Sequence, residues 1–230
     1  DTEQSVAIAA LNRQHGNFAV SLLEGVTGSG KTEVYLQAIE PLLREGKQVL
    51  ILVPEIGLTP QTVSRFEKRF GIAVGVLHSQ LSDKDRLQVW QRAKAGELGI
   101  VIGTRSAIFT PLNNPGMLIV DEEHDESFKQ QDGLRYHARD LAAMRAKQHN
   151  IPLLLGSATP ALETLNNALS GRYAHLQLTK RAGGAQSTHQ HVLDARDQPI
   201  HYGISQGLLT IMRQHISAGN QVLVFVNRRG

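Results

Sequence analysis

Residues 25–32, which read GVTGSGKT, constrain the fold of this chain more than any other stretch. They match the pattern G-x-x-x-x-G-K-[ST] and stand between an aliphatic run and a helical pattern, as a phosphate-binding loop requires. Gly28 and Gly30 would leave backbone N–H groups free to face phosphate oxygens, and the following helix adds the positive end of its dipole. Lys31 would reach the β and γ phosphates, and the Thr32 hydroxyl would bind Mg²⁺.

This loop predicts nucleotide binding but leaves open how the nucleotide is used, because a small-molecule kinase or a GTPase would carry the same loop. Lys31 is predicted to be catalytic as well as ATP-binding. The residues predicted to bind ATP in the loop are Gly25, Val26, Thr27, Gly28, Ser29, Gly30, Lys31 and Thr32.

Short aliphatic runs alternate with helical patterns along the chain. Runs of Val, Ile and Leu predict strands at residues 19–25, 48–54, 72–79, 99–104, 117–122, 152–159 and 222–227. Helical patterns occupy residues 31–46, 58–71, 82–97, 137–150 and 161–172. Most strand runs are continuous rather than alternating, as expected for strands covered on both faces. The sequence therefore predicts an α/β fold with three layers and a central, mostly parallel sheet.

One of these helices has a clear predicted start. Ser82 is its expected N-cap, and Asp85 would complete a capping box. Leu87, Trp90 and Ala93 are predicted to share the buried face of this helix.

The stretch at 181–190 is predicted to link two domains, because it is basic and then rich in Gly, Ser and Thr, without apolar periodicity. Residues 1–180 would form the first domain, and residues 191–230 would begin a second α/β domain. One helix and two strands cannot close a sheet, so the chain is expected to be a fragment of a longer protein. The elements predicted after the linker are a short strand at 191–196, a helix at 207–220 and a strand at 222–227.

Composition excludes several classes of protein. The chain has no cysteine, so it can form neither disulfides nor thiolate metal sites. No apolar run approaches the roughly 18 residues that span a bilayer, and the first residues do not form a signal peptide. The predicted location is therefore the cytoplasm. A formal net charge of +3 permits binding to a polyanion without arguing for it.

Residues 117–128, MLIVDEEHDESF, form a predicted buried strand that ends in five carboxylates and one histidine. Asp121 would bind Mg²⁺ through its water shell, and Glu122 would orient and deprotonate the attacking water. A zinc site is not supported, because the chain has no cysteine and no H-x-x-x-H pattern, and carboxylates favour Mg²⁺. For Asp125 and Glu126, a solvent-exposed acidic turn is the favoured interpretation.

The start of this acidic cluster resembles the D-E-x-H box of superfamily 2 helicases, with Asp121, Glu122, Glu123 and His124. Further blocks follow in that superfamily's order: residues 54–61 resemble motif Ia, residues 103–106 motif Ib and residues 156–160 motif III. Seven blocks together are similar to the family of replication-restart DNA helicases, over nearly the whole chain. These blocks read GVTGSGKTEVYLQ, VPEIGLTPQ, VLHSQLSD, IGTRSAIFTP, DEEHDESFKQQDGLRYHARD, LGSATPALET and FVNRRG.

The resemblance implies a RecA-like P-loop NTPase domain followed by the start of a second RecA-like domain. It implies an ATP-dependent helicase or translocase that moves 3′ to 5′ on DNA and acts in replication restart and primosome assembly. Implied cofactors are ATP and Mg²⁺, with zinc for the full-length family, whose cysteine ligands this chain lacks. Implied partners are forked and single-stranded DNA, primosome proteins and single-strand-binding proteins, with no membrane. This chain alone is expected to bind ATP, to hydrolyse it poorly and not to unwind DNA.

Two other functions stay open at this point. The chain could belong to another superfamily 2 translocase, such as a restriction-type translocase or an RNA helicase. It could also serve mainly as a docking domain for primosome proteins.

The resemblance also assigns roles to single residues. Ser157 and Thr159 would couple the γ-phosphate to DNA, although the same stretch is typical of a turn in which Thr159 caps the next helix. Gln4 would recognise adenine, with an exposed helix turn as the alternative. Phe128 and Tyr136 would stack on single-stranded bases, although packing beneath their loop is an equally good interpretation. The full set of implied DNA contacts is Thr59, Gln61, Thr104, Arg105, Ser106, Phe128, Lys129, Arg135 and Tyr136.

Overall fold

The computed structural model describes residues 2–181, 190–196 and 198–225. Contacts divide the chain into two compact units, Asp1–Ala185 and Gln186–Gly230. The helices of the first unit are α1 (Thr2–Asn12), α2 (Lys31–Arg44), α3 (Pro60–Phe70), α4 (Asp83–Ala95), α5 (Ala138–His149) and α6 (Leu162–Leu169). Its strands are β1 (Val20–Gly25), β2 (Gln48–Leu52), β3 (Val74–Leu77), β4 (Ile100–Gly103), β5 (Pro115–Asp121), β6 (Lys129–Gln130), β7 (Tyr136–His137), β8 (Leu153–Ser157) and β9 (Ala174–Leu178). Short 3₁₀ helices span Glu55–Gly57, Arg105–Phe109 and Glu126–Phe128.

A seven-stranded sheet forms the centre of this unit, in the order β3-β4-β2-β5-β8-β1-β9. Every neighbouring pair of its strands is parallel, so all seven strands end at the same edge. Strand β8 lies between β1 and β5, with Ser157 beside Glu24 and Gly156 beside Asp121. The segments that follow β1, β5 and β8 therefore meet at one edge, which is where ligands bind in open parallel sheets.

Helices cover both faces of the sheet. Helices α1, α2 and α3 pack on the face that includes Leu23 and Ile119, while α4, α5 and α6 pack on the face that includes Leu22 and Val120. Neighbouring residues of a strand point to opposite faces, so a strand covered on both sides must be apolar at consecutive positions. Burying each such Leu, Ile or Val side chain contributes about 1.5–3 kcal/mol.

The predicted three-layer α/β architecture is confirmed, and observed strands overlap six of the seven predicted runs. The structure differs from the strand predictions at β9 and at residues 222–225. The edge strand β9 was not predicted, because His175 and Gln177 interrupt its apolar pattern. In the described part of the predicted strand at 222–227, residues 222–225 form no strand, and residues 226–227 lie outside the described part of the chain.

Helix α4 confirms the predicted N-cap and two of the three residues predicted for its buried face. The Ser82 hydroxyl accepts a hydrogen bond from the Asp85 N–H at 3.2 Å and donates to Asp85 Oδ2 at 2.6 Å. The Asp85 carboxylate thus contacts the Ser82 hydroxyl rather than its backbone N–H, so the reciprocal half of the capping box is missing. Ala93 is buried and Trp90 packs against the core, as predicted, whereas Leu87 is 55% exposed and Val89 packs against the core in its place. With about 3.6 residues per turn, a face centred on Val89 and Ala93 leaves Leu87 on the solvent side.

In the second unit, β10 (Ile200–His201) and β11 (Ile204–Ser205) form an antiparallel hairpin, followed by α7 (Gln206–Ser217). The hairpin turn uses Tyr202 and Gly203 at φ 53° and 84°, the left-handed conformation that two-residue hairpin loops prefer. Helix α7 agrees with the helix predicted at 207–220.

The strand predicted at 191–196 is wrong, because these residues form no strand. Most of the predicted linker, residues 182–189, lies outside the described residues, as do residues 226–230. Among the helices that the structure describes, none is both long and apolar enough to cross a membrane.

Candidate active site

A cleft of about 1140 Å³ lies at the edge where the strands end. The phosphate loop and the start of α2 form one side of it, and α3 forms another. The residues that line the cleft are Thr27, Gly28, Ser29, Gly30, Lys31, Thr32, Glu33, Leu36, Pro60, Gln61, Ser64, Arg65, Lys68, Arg69, Asp121 and Glu122. The structure therefore brings the phosphate loop and the first two residues of the acidic box into one site, although they are far apart in sequence.

The phosphate loop has the backbone geometry that its sequence predicts. Gly28 and Gly30 lie at φ 80° and 89°, a region that side chains other than glycine rarely adopt. Gly30 is the N-cap of α2, and no side chain caps this helix. Lys31 Nζ donates to the carbonyl oxygen of Gly25 at 3.1 Å and lies 3.6 Å from Glu122 Oε1. The lysine ammonium group thus lies between the loop and the acidic box.

Several polar groups of the loop have no hydrogen-bond partner within the described part of the chain. The Ser29 hydroxyl is buried and unpartnered. Among the described residues, no acceptor is found for the backbone N–H groups of Thr27, Gly28, Gly30, Lys31 and Thr32. Buried polar groups are rarely left unpaired, and N–H groups at a helix start bind anions. These residues fit the phosphates of a nucleotide.

Gln4 lies against the same loop. Its Nε2 donates to the Ser29 carbonyl oxygen at 2.9 Å, and a Cβ atom added to Gly30 would lie 2.3 Å from that nitrogen. The neighbouring Glu3 accepts hydrogen bonds from the backbone and hydroxyl of Thr179, which holds the start of α1 beside the end of β9. The predicted contact between Gln4 and adenine stays a prediction.

Thr32 and Asp121 line the cleft together and supply a hydroxyl and a carboxylate oxygen. Both are hard ligands that suit Mg²⁺. Among the described residues, no group of three or more His, Asp or Glu side chains could hold a metal ion alone. The residues fit an ion that nucleotide phosphates and water hold together with one or two protein groups, as is common for Mg²⁺.

Asp121, at the end of β5, is held by a residue that sequence patterns do not single out. The Tyr35 hydroxyl donates to Asp121 Oδ1 at 2.8 Å, and Tyr35 is only 1% exposed. Burial raises the pKa of the Asp121 carboxyl, and the hydrogen bond from Tyr35 offsets only part of this rise. Burial and the charge of Asp121 raise the pKa of Tyr35, so the phenol remains a proton donor.

Glu122 adopts φ 48°, a left-handed backbone conformation that costs on the order of 1 kcal/mol for a residue with a side chain. Strained residues of this kind concentrate at functional sites. The Glu122 carboxylate lies between Lys31, 3.6 Å away, and His124 Nδ1, 3.7 Å away. Its side chain is 38% exposed, so it is accessible to water at the cleft.

His124 connects the acidic box to the segment after β8. Its Nδ1 lies 2.7 Å from the Ser157 hydroxyl, and its Nε2 lies 3.3 Å from the Thr159 hydroxyl. Ser157 Oγ also accepts a hydrogen bond from the Thr159 N–H at 3.0 Å. The N-cap of α6 is Ala161, so the prediction that Thr159 caps this helix is wrong.

Glu123 is fully buried and joins three segments of the chain. Its Oε2 accepts from Arg139 Nη1 at 2.9 Å and from the Thr164 hydroxyl at 2.8 Å, and its Oε1 accepts from the Ala161 N–H at 2.8 Å. Glu123 therefore ties the acidic box to the starts of α5 and α6. Sequence reasoning missed Arg139 and Thr164, because no local spacing pattern links them to the box.

Of the residues predicted to contact DNA at motif Ia, Thr59 and Gln61 are exposed at the start of α3. The Thr59 hydroxyl caps this helix by accepting from the Thr62 N–H at 3.1 Å. Gln61 lines the cleft beside the phosphate loop. Both can be reached from solvent, and their contact with DNA stays a prediction.

The motif Ib residues differ in accessibility. Ser106 is exposed, but Thr104 is only 6% exposed, which corrects the prediction that its side chain contacts DNA. Arg105 Nη1 donates to the carbonyl oxygens of Ser127 at 2.8 Å and Lys129 at 3.0 Å. Arg105 therefore holds the segment that follows the acidic box.

That segment contains a small antiparallel hairpin of β6 and β7. Phe128 is fully buried in the core, so the prediction that it stacks on a base is wrong, and packing beneath the loop is the correct interpretation. Tyr136 is partly buried, and its ring meets Phe109 edge-on at 5.1 Å between centroids. Lys129 and Arg135 are exposed. These last two side chains and the open part of Tyr136 remain available to a ligand.

Comparison with known families and sequences gives a consistent result. The profile described as DEAD/DEAH box helicase matches residues 1–168. A protein named replication restart protein PriA from Haemophilus influenzae is 59% identical over 216 residues, which cover 94% of this chain and 30% of that protein. The Bacillus subtilis protein of the same name is 45% identical over 215 residues, 92% of this chain and 27% of that protein. This chain thus spans about a third or less of these relatives.

Solved structures show the same fold at lower sequence identity. RecG bound to a three-way DNA junction matches with a TM-score of 0.57 and 22% identity, over 81% of this chain and 24% of that one. The Hef helicase domain of Pyrococcus furiosus matches with a TM-score of 0.56 and 21% identity, over 79% of this chain and 38% of that one.

Proposed function

The chain belongs to the DEAD/DEAH box helicase family, and from this premise we propose that it is the ATP-binding motor lobe of a replication-restart DNA helicase that moves 3′ to 5′. The observation that carries the proposal is the single cleft in which the phosphate loop meets Asp121 and Glu122. The relatives named replication restart protein PriA support the choice of replication restart within the family.

ATP would bind with its phosphates against the free N–H groups of the loop and the ammonium group of Lys31. Thr32 and Asp121 would hold Mg²⁺, which neutralises phosphate charge when bound. Gln4, beside the loop, would face the adenine side of the nucleotide.

Glu122 would act as general base in hydrolysis. Its carboxylate accepts a proton from water as the water oxygen attacks the γ-phosphorus. The bond from that phosphorus to the β–γ bridging oxygen breaks, which yields ADP and inorganic phosphate. Lys31 would move from its present contacts with Gly25 and Glu122 to the phosphates, which frees the Glu122 carboxylate for this role.

His124, Ser157 and Thr159 would couple the state of the γ-phosphate to nucleic acid, because His124 contacts Glu122 on one side and motif III on the other. Single-stranded and forked DNA would lie across Thr59, Gln61, Arg105 and Ser106 and the hairpin residues Lys129, Arg135 and Tyr136. Contacts of this kind grip the sugar-phosphate backbone without reading sequence.

Residues 1–180 would be the first RecA-like lobe, residues 181–190 a linker, and residues 191–230 the start of the second lobe. The division into units after Ala185 supports this arrangement. Primosome and single-strand-binding proteins would be the partners of the whole protein in the cytoplasm. Zinc, implied for the full-length family, would have no ligands in this chain, which lacks cysteine.

ATP hydrolysis by the full-length protein tests this function. We expect hydrolysis to be stimulated by single-stranded DNA and little affected by competing RNA. Replacing the general base, Glu122→Gln, should lower the rate about 10²–10⁴-fold, whereas the exposed neighbour Glu126→Gln should leave it unchanged. Equal stimulation by RNA would favour another superfamily 2 translocase, and full activity of Glu122→Gln would contradict the proposed chemistry.

A further inference from the structure

Tyr35 lies near the start of α2, the helix that follows the phosphate loop. It is almost fully buried in α2, and its hydroxyl donates to Oδ1 of Asp121 at 2.8 Å. A buried phenol requires a hydrogen-bond partner, but a backbone carbonyl would satisfy it equally well. Here the partner is the carboxylate that ends β5 inside the nucleotide cleft.

The surrounding structure is shaped to make room for this hydrogen bond. Gly156 is the register partner of Asp121 on β8. A Cβ atom at Gly156 would lie 1.8 Å from the Tyr35 hydroxyl oxygen and 3.4 Å from Asp121 Oδ1. Any side chain at position 156 would therefore displace the tyrosine hydroxyl. The strand next to Asp121 leaves this space open, and the phenol fills it.

The position of Tyr35 along α2 relates it to the other metal-binding group. Thr32 and Tyr35 are three residues apart, a spacing that places two side chains on the same side of a helix. One face of α2 thus provides the Thr32 hydroxyl and also the hydroxyl that fixes Asp121. An ionised carboxylate has about four lone-pair sites, so the hydrogen bond from Tyr35 leaves others for the water shell of a metal ion.

We propose that Tyr35 is a positioning residue for Mg²⁺-dependent nucleotide binding, which sets the Asp121 carboxylate at a fixed place relative to Thr32 before metal and nucleotide arrive. The inference rests on the proposed function, because it assumes that Thr32 and Asp121 hold the magnesium ion of the nucleotide. Groups that orient metal ligands from behind contribute about 10–100-fold to metal affinity.

The test is Tyr35→Phe, which removes one hydroxyl and keeps the ring that fills the core. Binding of a fluorescent ADP analogue to the chain is measured over a range of free Mg²⁺ concentrations and in EDTA. We expect the Mg²⁺ concentration that gives half of the maximal effect to rise about tenfold, with the affinity in EDTA unchanged. The matched control is Tyr173→Phe, because Tyr173 is a partly buried tyrosine that packs on the opposite face of the sheet, away from the cleft.

A second variant approaches the same hydrogen bond from the other side. Gly156→Ala should displace the Tyr35 hydroxyl and shift the Mg²⁺ midpoint in the same direction, and combining it with Tyr35→Phe should add little. If Gly156→Ala does not fold, Tyr35→Phe decides alone. An unchanged Mg²⁺ midpoint in Tyr35→Phe would overturn the inference.

Asp121→Asn separates failure of this inference from failure of the proposed function. If Mg²⁺ strengthens ADP binding to the unaltered chain and Asp121→Asn abolishes that effect, the metal site stands whatever Tyr35→Phe does. If Mg²⁺ has no effect on ADP binding to the unaltered chain, the proposed function itself fails, and the inference about Tyr35 fails with it.

Discussion

Replacing Arg139 by methionine should destabilise the first unit severely, although Arg139 lies outside the nucleotide cleft. Its guanidinium group donates to Glu123 Oε2 at 2.9 Å, and the two side chains are 13% and 0% exposed. Methionine replaces the aliphatic part of the arginine side chain but carries no charge, so the substitution leaves the Glu123 carboxylate buried without its cation. The Ala161 N–H and the Thr164 hydroxyl would remain as neutral donors.

Removing one partner of a buried ion pair costs about 3–5 kcal/mol, because the other charge is then buried without compensation. Two neutral donors still contact Glu123, so we expect the lower end of this range, about 3 kcal/mol. Glu123→Gln in the same variant should recover part of this loss, because it removes the uncompensated charge. This loss is a large fraction of the 5–15 kcal/mol that typically stabilises a domain.

Urea unfolding measures the effect, with the fluorescence of Trp90 as the probe. Trp90 is the single tryptophan of the chain and packs against the same core as α5. The control is Arg92→Met, which breaks an exposed ion pair with Glu97 at 3.4 Å and should cost less than about 1 kcal/mol. If Arg139→Met cost no more than this control, the buried contact between Glu123 and Arg139 would not be what stabilises this part of the fold.

Three further predictions concern the site. Burial raises the pKa of the Asp121 carboxyl in the folded state, so the contribution of this group to stability is fully present below its ordinary pKa of 3.8 and is lost as pH rises through the folded-state pKa. Without nucleotide, Asp121→Asn should therefore melt at a higher temperature than the unaltered chain at neutral pH, and calorimetry should show this difference shrinking towards acid pH. Arg105→Lys keeps the positive charge but loses the guanidinium group that donates to the carbonyl oxygens of Ser127 and Lys129, so ATP hydrolysis stimulated by DNA should fall several-fold while ATP hydrolysis without DNA persists. Gly30 lies at φ 89°, and Gly30→Ala places a Cβ atom 2.3 Å from the Gln4 amide nitrogen, so binding of a fluorescent nucleotide should weaken at least about tenfold. The control Gly133→Ala, at φ 64° with no neighbour within 4 Å, should bind nucleotide normally.

Local sequence features predicted much of this fold because the physical cause was itself local. Strands buried on both faces must be apolar at consecutive positions, and that pattern located six strands of the sheet. The phosphate loop was equally clear, since Gly28 and Gly30 are required by their backbone conformation. Ser82 was recognisable as an N-cap because its partner is three residues away.

Features that depend on packing between distant segments could not be predicted. The burial of Phe128 depends on how the hairpin sits on the core, and its composition alone fits a DNA-contacting loop equally well. The contact of Tyr35 with Asp121 depends on β8 lying between β1 and β5, and strand order has no local signature. The same holds for Glu123 and Arg139. Edge strand β9 escaped prediction because a strand with one open side tolerates polar residues such as Gln177.

The central claim is that Thr32 and Asp121 hold one metal ion beside a nucleotide on the phosphate loop. A crystal structure of the chain with Mn²⁺ and a non-hydrolysable ATP analogue tests it directly, because anomalous scattering locates the metal. We expect one strong peak in contact with the Thr32 hydroxyl, with the Asp121 carboxylate reaching it directly or through one water molecule. A nucleotide bound away from the loop, or a metal peak that neither side chain approaches, would contradict the claim.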